Sequence, residues 1–272
     1  MTDPILHRFN DGQPVPVGAV TRAELLGQGL FETMRWNGRQ IPLLSYHIDR
    51  LRRGAQWLGY QPEAAESALT SQLSHLAGEF PAGQHALVRF QLSHQQNERG
   101  YASCPGPLVT LWQCSPLNTD LVTDIAELTL LPGAMPPNAG PPVKHTSRVD
   151  QVVAAQHPAA RVGVRCDAEG FLREGLSSNL FMLRHGHVLT PVLTHHGVSG
   201  TLSAWVQDQC GALGFPLLLG DFPPAVLAEC EAVWLSSAVG LQAVASGAET
   251  HFDTRQHPVF VQLETALRQK FA

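Results

Sequence analysis

Lys144 and Lys270 are the only lysines in a chain of 272 residues that carries sixteen arginines. Lys270 falls within the last three residues, where chains fray, so Lys144 is the one lysine that a fold is expected to hold in place. An arginine-biased composition that retains a single lysine would account for this; so would a chemical need for an amine. Arginine stays charged and cannot form a Schiff base, whereas a lysine amine can. Thirty residues on, Glu174 lies in the run Phe171–Leu176, where strand alternation puts Leu172, Glu174 and Leu176 on one face. Leucines mark a buried side, and a carboxylate there needs a cation or several donors. Glu174 is then either an edge-strand residue near solvent or a carboxylate facing a protonated ring nitrogen.

Anion-binding groups accompany this pair. Gly197-Val198-Ser199-Gly200-Thr201 precedes the apolar helical spacing of Leu202, Val206 and Cys210. Backbone N–H groups, two hydroxyls and a helix N-terminus make a seat for phosphate, although Ser or Thr at such a place also serves as a plain N-cap. Ser236 and Ser237 follow the strand-like Ala232–Leu235 and form a second hydroxyl-rich turn. Arg50 can lend a fixed charge to the same anion or sit solvated on its helix. An amine, a carboxylate and two phosphate seats together point to pyridoxal phosphate (PLP) held by a Schiff base. His185/His187 and His195/His196 have metal-like spacing but no acidic or cysteine cluster in sequence, so no metal site is expected. The sequence holds no G-x-S-x-G elbow, no P-loop and no G-x-G-x-x-G after a strand.

The elements that must position these groups are legible as two α+β units. Phe31–Trp36, Asn37-Gly38 and Arg39–Leu43 have the form of a hairpin with a type I′ turn. Leu44, Ile48, Leu51, Ala55 and Leu58 recur at helical spacing, as do Ala65, Leu69, Leu73 and Leu76. Ala86–Leu92 and Leu108–Cys114 are strand-like, and Ser115–Asp120 joins this domain (residues 1–116) to a larger one (residues 121–272). There, strands are expected at Ile125–Leu131, Val162–Asp167, Phe171–Leu176, Leu180–Leu183, His187–Thr190 and Ala232–Ser236. Helices are expected at Val149–Gln156, Ser199–Gly211 and His257–Lys270. Runs of strands with helices interspersed favour two α+β domains over a doubly wound sheet.

Composition sets the bounds. The chain has 44% apolar and 15% charged residues, an ordinary globular balance, and a net charge of −5, which argues against nucleic acid as a partner. Cys104, Cys114, Cys166, Cys210 and Cys230 form no C-x-x-C pair and are read as reduced thiols. Met1-Thr2-Asp3-Pro4 lacks a secretion signature, and no apolar run nears the ~20 residues that span a bilayer, so a cytoplasmic protein without a membrane partner is expected.

The order of these segments resembles the class IV, branched-chain type, PLP enzymes. Gly29-Leu30-Phe31-Glu32-Thr33-Met34-Arg35 is similar to their G-x-F-E-x-x-R strand, and His47-x-x-Arg50-Leu51 to their H-x-x-R-L helix. Asp167-x-x-Gly170-x-x-x-Glu174-x-x-x-x-Asn179-Leu180-Phe181 looks like their cofactor-carboxylate segment, and the turn Gly197–Gly200 follows in place. The resemblance implies a two-domain, D-amino-acid aminotransferase-like fold with the active site between the domains, and a homodimer. It implies Lys144 as the catalytic, Schiff-base lysine. Arg50, Glu174, Asn179, Val198, Ser199, Ser236 and Ser237 are then cofactor contacts, and Arg99, Tyr101 and Thr33 substrate contacts. Within the family, Lys144-His145-x-x-Arg148-x-x-Gln151-Val152 and Arg99-Gly100-Tyr101 look most like the 4-amino-4-deoxychorismate lyase branch. Val149 stands where branched-chain members carry tyrosine. Ser93–Glu98 lacks the glycine-rich stretch usual in that branch, and Thr201-Leu202-Ser203 lacks its arginine. A class IV aminotransferase for D-amino or branched-chain amino acids, and a non-catalytic binding protein on the same fold, are the alternatives.

Overall fold

The computed structural model describes residues 8–10, 13–15, 20–76, 83–96, 100–101 and 106–272. A short hairpin of β1 (Arg8–Asn10) and β2 (Gln13–Val15) precedes α1 (Arg22–Leu26). A capping box between Thr21 and Glu24 starts α1, and Gly27, in the left-handed region, ends it. Then come β3 (Leu30–Trp36), α2 (Leu44–Leu58), α3 (Pro62–Leu76), β4 (Ala86–His94) and β5 (Leu108–Pro116). β3, β4 and β5 form a three-stranded antiparallel sheet in that order.

The hairpin expected at Asn37-Gly38 is not formed. Asn37 Oδ1 accepts from the N–H groups of Arg39 and Gln40, which tightens a turn leading into α2, and β3 pairs with β4 instead. On α2 the buried residues are His47, Arg50, Leu51, Gly54 and Ala55, a stripe at three- and four-residue steps. Leu51 and Ala55 join Leu30, Met34, Leu69 and Phe90 in one core. His47 and Arg50 carry polar groups into the same interior.

The second sheet has nine strands. They are β6 (Val122–Ile125), β7 (Thr129–Ala134), β8 (Gly163–Cys166), β9 (Leu172–Gly175), β10 (Asn179–Arg184), β11 (His187–Pro191), β12 (Leu217–Gly220), β13 (Ala232–Ser237) and β14 (Gly240–Val244). The order is β6-β14-β13-β10-β9-β8-β7, with β11 on the far half of β10 and β12 beyond it. The single strand expected over Ile125–Leu131 is two strands at opposite edges of this sheet. From Ile125 to Thr129 the chain reaches roughly 14 Å, whereas six strand spacings laid flat cover about 29 Å. The sheet therefore curls back on itself, and a bridge between Leu128 and Gly247 sits at the closure. β12 and β14 were not expected from the sequence.

The described residues also form α4 (Val149–Ala154), α5 (Thr201–Ala212) and α6 (Pro258–Phe271), short 3-10 turns at Ala160–Val162 and Pro224–Glu229, and a small ladder of β15 (Ser246–Gly247) and β16 (Thr250–His251). Phe181 stacks on Trp234 at 5.6 Å, and Phe260 of α6 meets Trp234 edge-on. Leu180, Leu235, Leu172 and Val164 fill a separate core. Among the described residues no helix is long and apolar enough to cross a membrane.

Candidate active site

Lys144 lies in a stretch of backbone fastened to β3 and to the turn before α5. Phe31 N–H donates to Lys144 C=O (3.0 Å) and Thr146 N–H to Gly29 C=O (2.9 Å), so residues 144–146 extend the start of β3. Ser199 N–H donates to Pro142 C=O (2.8 Å), which ties the same stretch to the turn before α5. The Lys144 amine sits 5.0 Å from the centre of the Phe31 ring, and no hydrogen bond to it is present among the described residues. Desolvation, with the repulsion of Arg50 and Arg148 beside it, pushes this amine down to about 8 against the pull of Glu32 and Glu174. A substantial neutral fraction near physiological pH follows.

Glu174, Asn179 and Ser236 form a row across three adjacent strands. Asn179 is opposite Glu174 on β9 and opposite Ser236 on β13. Partners in register share a face, so the row projects into one cleft. Glu174 is 3% exposed. It accepts from Val198 N–H (2.8 Å) and Asn179 Nδ2 (3.4 Å) on Oε2, and from Gln151 Nε2 (3.5 Å) on Oε1. Burial outweighs these donors and the nearby charges of Arg148, Lys144 and Arg165, and pushes the carboxyl up to about 7. Gly197 has φ +69°, and a Cβ there would stand 2.5 Å from the Glu174 carboxyl carbon. Only glycine meets both demands at this turn.

Asn179 lines the same cleft and also makes contacts within the fold. Its Nδ2 donates to Val198 C=O (2.8 Å) and its Oδ1 accepts from Gly200 N–H (3.1 Å), so it braces the turn before α5. The Val198 and Ser199 N–H groups expected to face an anion are engaged by Glu174 and Pro142. What faces the cleft is the first turn of α5, whose N-cap Gly200 supplies no side chain. The Ser236 hydroxyl is beside it, 1% exposed and with no hydrogen-bond partner among the described residues.

Arg50 reaches this site from α2. Its Nη1 donates to Ser199 C=O (3.0 Å), its Nε to Glu32 Oε1 (2.9 Å) and its Nη2 to Glu32 Oε2. His47 Nδ1 donates to Glu32 Oε2 (2.6 Å), and His47 Nε2 lies 3.4 Å from Thr201 Oγ1. Burial alone would raise the Glu32 carboxyl, but the Arg50 charge and the hydrogen bonds from His47 and Arg50 win and lower it to about 2. Desolvation, with the repulsion of Arg50 and Lys144, lowers His47 against the pull of Glu32.

A cleft of about 530 Å3, open mouth included, brings together Lys144, Glu174, Asn179, Arg50, Val198, Ser236 and Ser237. Ser199 is not among the lining residues; its C=O accepts from Arg50 beside the cleft. Phe31, Arg148 and Gln151 also line it, though none was assigned a role from the sequence, and so does Thr201, one of the two hydroxyl residues of the expected phosphate seat. Arg148 and Gln151 stand inside the quoted lysine motif at helical spacing, which was the available signal. Glu32 stands inside the quoted β3 motif, and its clamp on Arg50 needs the fold to be visible. Arg99 lies outside the described residues. Tyr101 is 89% exposed and is not in the cleft wall, and Thr33, on the Phe31 face of β3, does not line it either. The acidic neighbours not expected for His196 are present: Asp167 and Glu169 bring ligand atoms within 4.8 Å of it and of one another. Asp167 already accepts from Phe171 N–H (2.9 Å) and Arg173 Nε (2.7 Å).

Comparison with known proteins agrees over most of the chain. A curated aminodeoxychorismate lyase from Vibrio harveyi is 24% identical over 241 residues, 83% of this chain and 84% of that protein. The crystal structure of 4-amino-4-deoxychorismate lyase from Pseudomonas aeruginosa superposes with a TM-score of 0.79 at 24% identity, covering 95% of this chain and 97% of that one. An aminotransferase from Brucella abortus bound to the cofactor PLP superposes with a TM-score of 0.74 at 17% identity, covering 97% and 98%. The family model described as amino-transferase class IV matches residues 29–246, and this chain belongs to that family.

Proposed function

We propose that the chain is a PLP-dependent 4-amino-4-deoxychorismate lyase that releases 4-aminobenzoate and pyruvate. The observation that carries the cofactor reading is one cleft holding an unengaged amine, a buried carboxylate lacking a full counter-charge, and a buried hydroxyl without a partner. These fit the three chemically distinct ends of PLP: the aldehyde at Lys144, the ring nitrogen at Glu174, the phosphate at Ser236, Arg50 and the start of α5. When bound, PLP supplies a carbonyl that captures the substrate amine and a sink for electrons from the carbon bearing it.

The protein's part is orientation and proton transfer. Glu174, pushed up by burial, gains a counter-charge from a protonated ring nitrogen and so favours that protonation state. Lys144, already low among lysines, is poised to take the proton from the amine-bearing carbon and to deliver it elsewhere. Departure of the enolpyruvyl ether oxygen then leaves an aromatic ring, so the protein need not drive the reaction uphill. A second chamber of about 700 Å3, open mouth included, shares Leu176, Ser177 and Ser237 with the first and gives room for a ring-sized substrate. Arg99 is proposed to hold a substrate carboxylate, with Tyr101 and Thr33 as further substrate contacts. A cytoplasmic homodimer of two-domain subunits, 1–116 and 121–272, belongs to the same proposal.

The Vibrio harveyi relative, matched along most of both chains, favours the lyase over a class IV aminotransferase. The test is incubation of the PLP-loaded protein with 4-amino-4-deoxychorismate and no added keto acid. Equal amounts of 4-aminobenzoate and pyruvate are expected. Rapid transamination of D-alanine or L-leucine with no 4-aminobenzoate would replace the lyase reading with the aminotransferase one.

A further inference from the structure

Behind the proposed phosphate seat, the polar stripe of α2 makes contacts that neither the cofactor nor the substrate needs directly. Leu30 and Glu32 share one face of β3, and His47, Arg50 and Gly54 share the stripe of α2 that packs on it. A Cβ on Gly54 would stand 2.7 Å from Leu30 Cδ2, so helix and strand approach closely at this point. Glu32, 1% exposed, accepts from two nitrogens of Arg50 and from His47 Nδ1. A carboxylate carries no proton, so Nδ1 of His47 must carry one, and its Nε2 lies 3.4 Å from the Thr201 hydroxyl, which can pair with it as donor or acceptor. Arg50 in turn donates to Ser199 C=O. Thus one carboxylate reaches the opening of α5 by two routes, through Arg50 to Ser199 and through His47 to Thr201.

We propose that Glu32 and His47 are positioning residues for phosphate recognition, holding the Arg50 guanidinium and the first turn of α5 as one preorganised anion seat. Arg50 has five N–H donors, of which three are engaged, leaving one on each terminal nitrogen for a ligand. Without Glu32 the guanidinium would keep its length and charge but lose the fork that fixes its plane. This inference rests on the PLP reading, and it makes a distinction that a merely stabilising pair would not. A seat for phosphate matters for PLP and is irrelevant to pyridoxal, which has the same aldehyde and ring but no phosphate.

The experiment measures capture of PLP and of pyridoxal at Lys144 by borohydride trapping and peptide mapping, on wild type and variants checked by thermal melts. Wild type should prefer PLP strongly. Glu32→Gln should lower that preference about tenfold or more, as expected for loss of a charge-assisted hydrogen bond, with pyridoxal capture unchanged. Glu32→Asp, which keeps the charge but draws it back by one methylene, should show a smaller loss. His47→Asn, which can still donate to Glu32 but cannot reach Thr201, should show a smaller loss too. A folded Glu32 variant with the wild-type preference, or one losing both ligands equally, overturns the inference. Should no Glu32 variant fold, an unchanged preference in His47→Asn overturns it. A wild type that captures no PLP at Lys144 overturns the cofactor reading itself and this inference with it.

Discussion

Glu32 on β3, behind Arg50, and Glu174 on β9, in the cleft wall, are buried to nearly the same degree, yet their surroundings differ in kind. Glu32 is met by a cation in fork geometry and by an imidazole, and its carboxyl is held down to about 2. Glu174 is met by a backbone N–H and two long amide contacts, with cations near but none in contact, and it rises to about 7. The first carboxylate has its counter-charge built in and serves as framework. The second lacks one, and an element of the fold that leaves a buried acid incomplete is a place for a ligand to complete it. Burial alone does not separate framework from receptor; the partner of the charge does.

The largest effect expected is at the amine that stands between them. Lys144→Ala should abolish both covalent capture of PLP and turnover, while Lys270→Ala leaves both intact, measured by trapping and by 4-aminobenzoate release. Capture on Lys270 would break the assignment of the cleft and with it the contrast between the two acids. Next in size is the framework acid. Glu32→Gln should destabilise the protein without cofactor by about 3–5 kcal/mol in denaturant unfolding, because Arg50 is left charged and unpaired in the interior. A loss below ~1 kcal/mol would mean that Glu32 is not framework in this sense.

Of this contrast, the sequence shows one half. Glu174 is legible because its segment resembles a cofactor-binding one, not because of its leucines: a register shift between β8 and β9 sets Leu172 opposite Cys166 and packs it with Val164 and Leu180, away from the Glu174 face; Lys144 is legible because lysine is nearly missing elsewhere. The clamp that Glu32 makes and the brace that Asn179 makes are not legible, since each is a contact whose partner is distant in sequence: Arg50 eighteen residues away, Val198 and Gly200 about twenty. Fold-level misses have the same origin. Asn37-Gly38 has good turn chemistry, but the strand beside β3 is chosen by long-range pairing with β4. The split of Ile125–Leu131 into β6 and β7 follows from closure of a curled sheet, which no local pattern encodes. Helices fared better, since the α2 spacing of Leu44, Ile48, Leu51, Ala55 and Leu58 is a local property and the helix forms over Leu44–Leu58.

The receptor acid should show its effect first in catalysis. Glu174→Gln keeps the shape and the acceptor for Val198 N–H but removes the charge opposite the ring nitrogen. Turnover should fall by about two orders of magnitude, the scale for removing one member of a desolvated charge pair. PLP capture at Lys144 should persist, because the amine is untouched. Turnover within a factor of a few of wild type would put Glu174 among the framework residues, and the contrast with Glu32 would fail.

The smallest effect is the most discriminating, because it has the opposite sign from Glu32→Gln. The Glu174 carboxyl is near 7 in the folded protein without cofactor and near 4.5 when the chain is unfolded. Between those values the folded state holds a proton that the unfolded state has released, so stability falls as pH rises through the window and levels off above it. Glutamine does not titrate and escapes this loss. Protein without PLP should therefore be more stable as Glu174→Gln than as wild type at pH 8, by roughly 1–3 kcal/mol. The advantage should vanish near pH 3.5, about a unit below the unfolded value, where the wild-type acid is largely neutral in both states. Adding PLP at pH 8 should erase it as well, since a protonated ring nitrogen supplies the missing counter-charge and wild type regains what the variant never lost. Unfolding curves at the two pH values, with and without PLP, decide the matter. A variant that is less stable than wild type at pH 8 without PLP would show that Glu174, like Glu32, already has its partner within the fold.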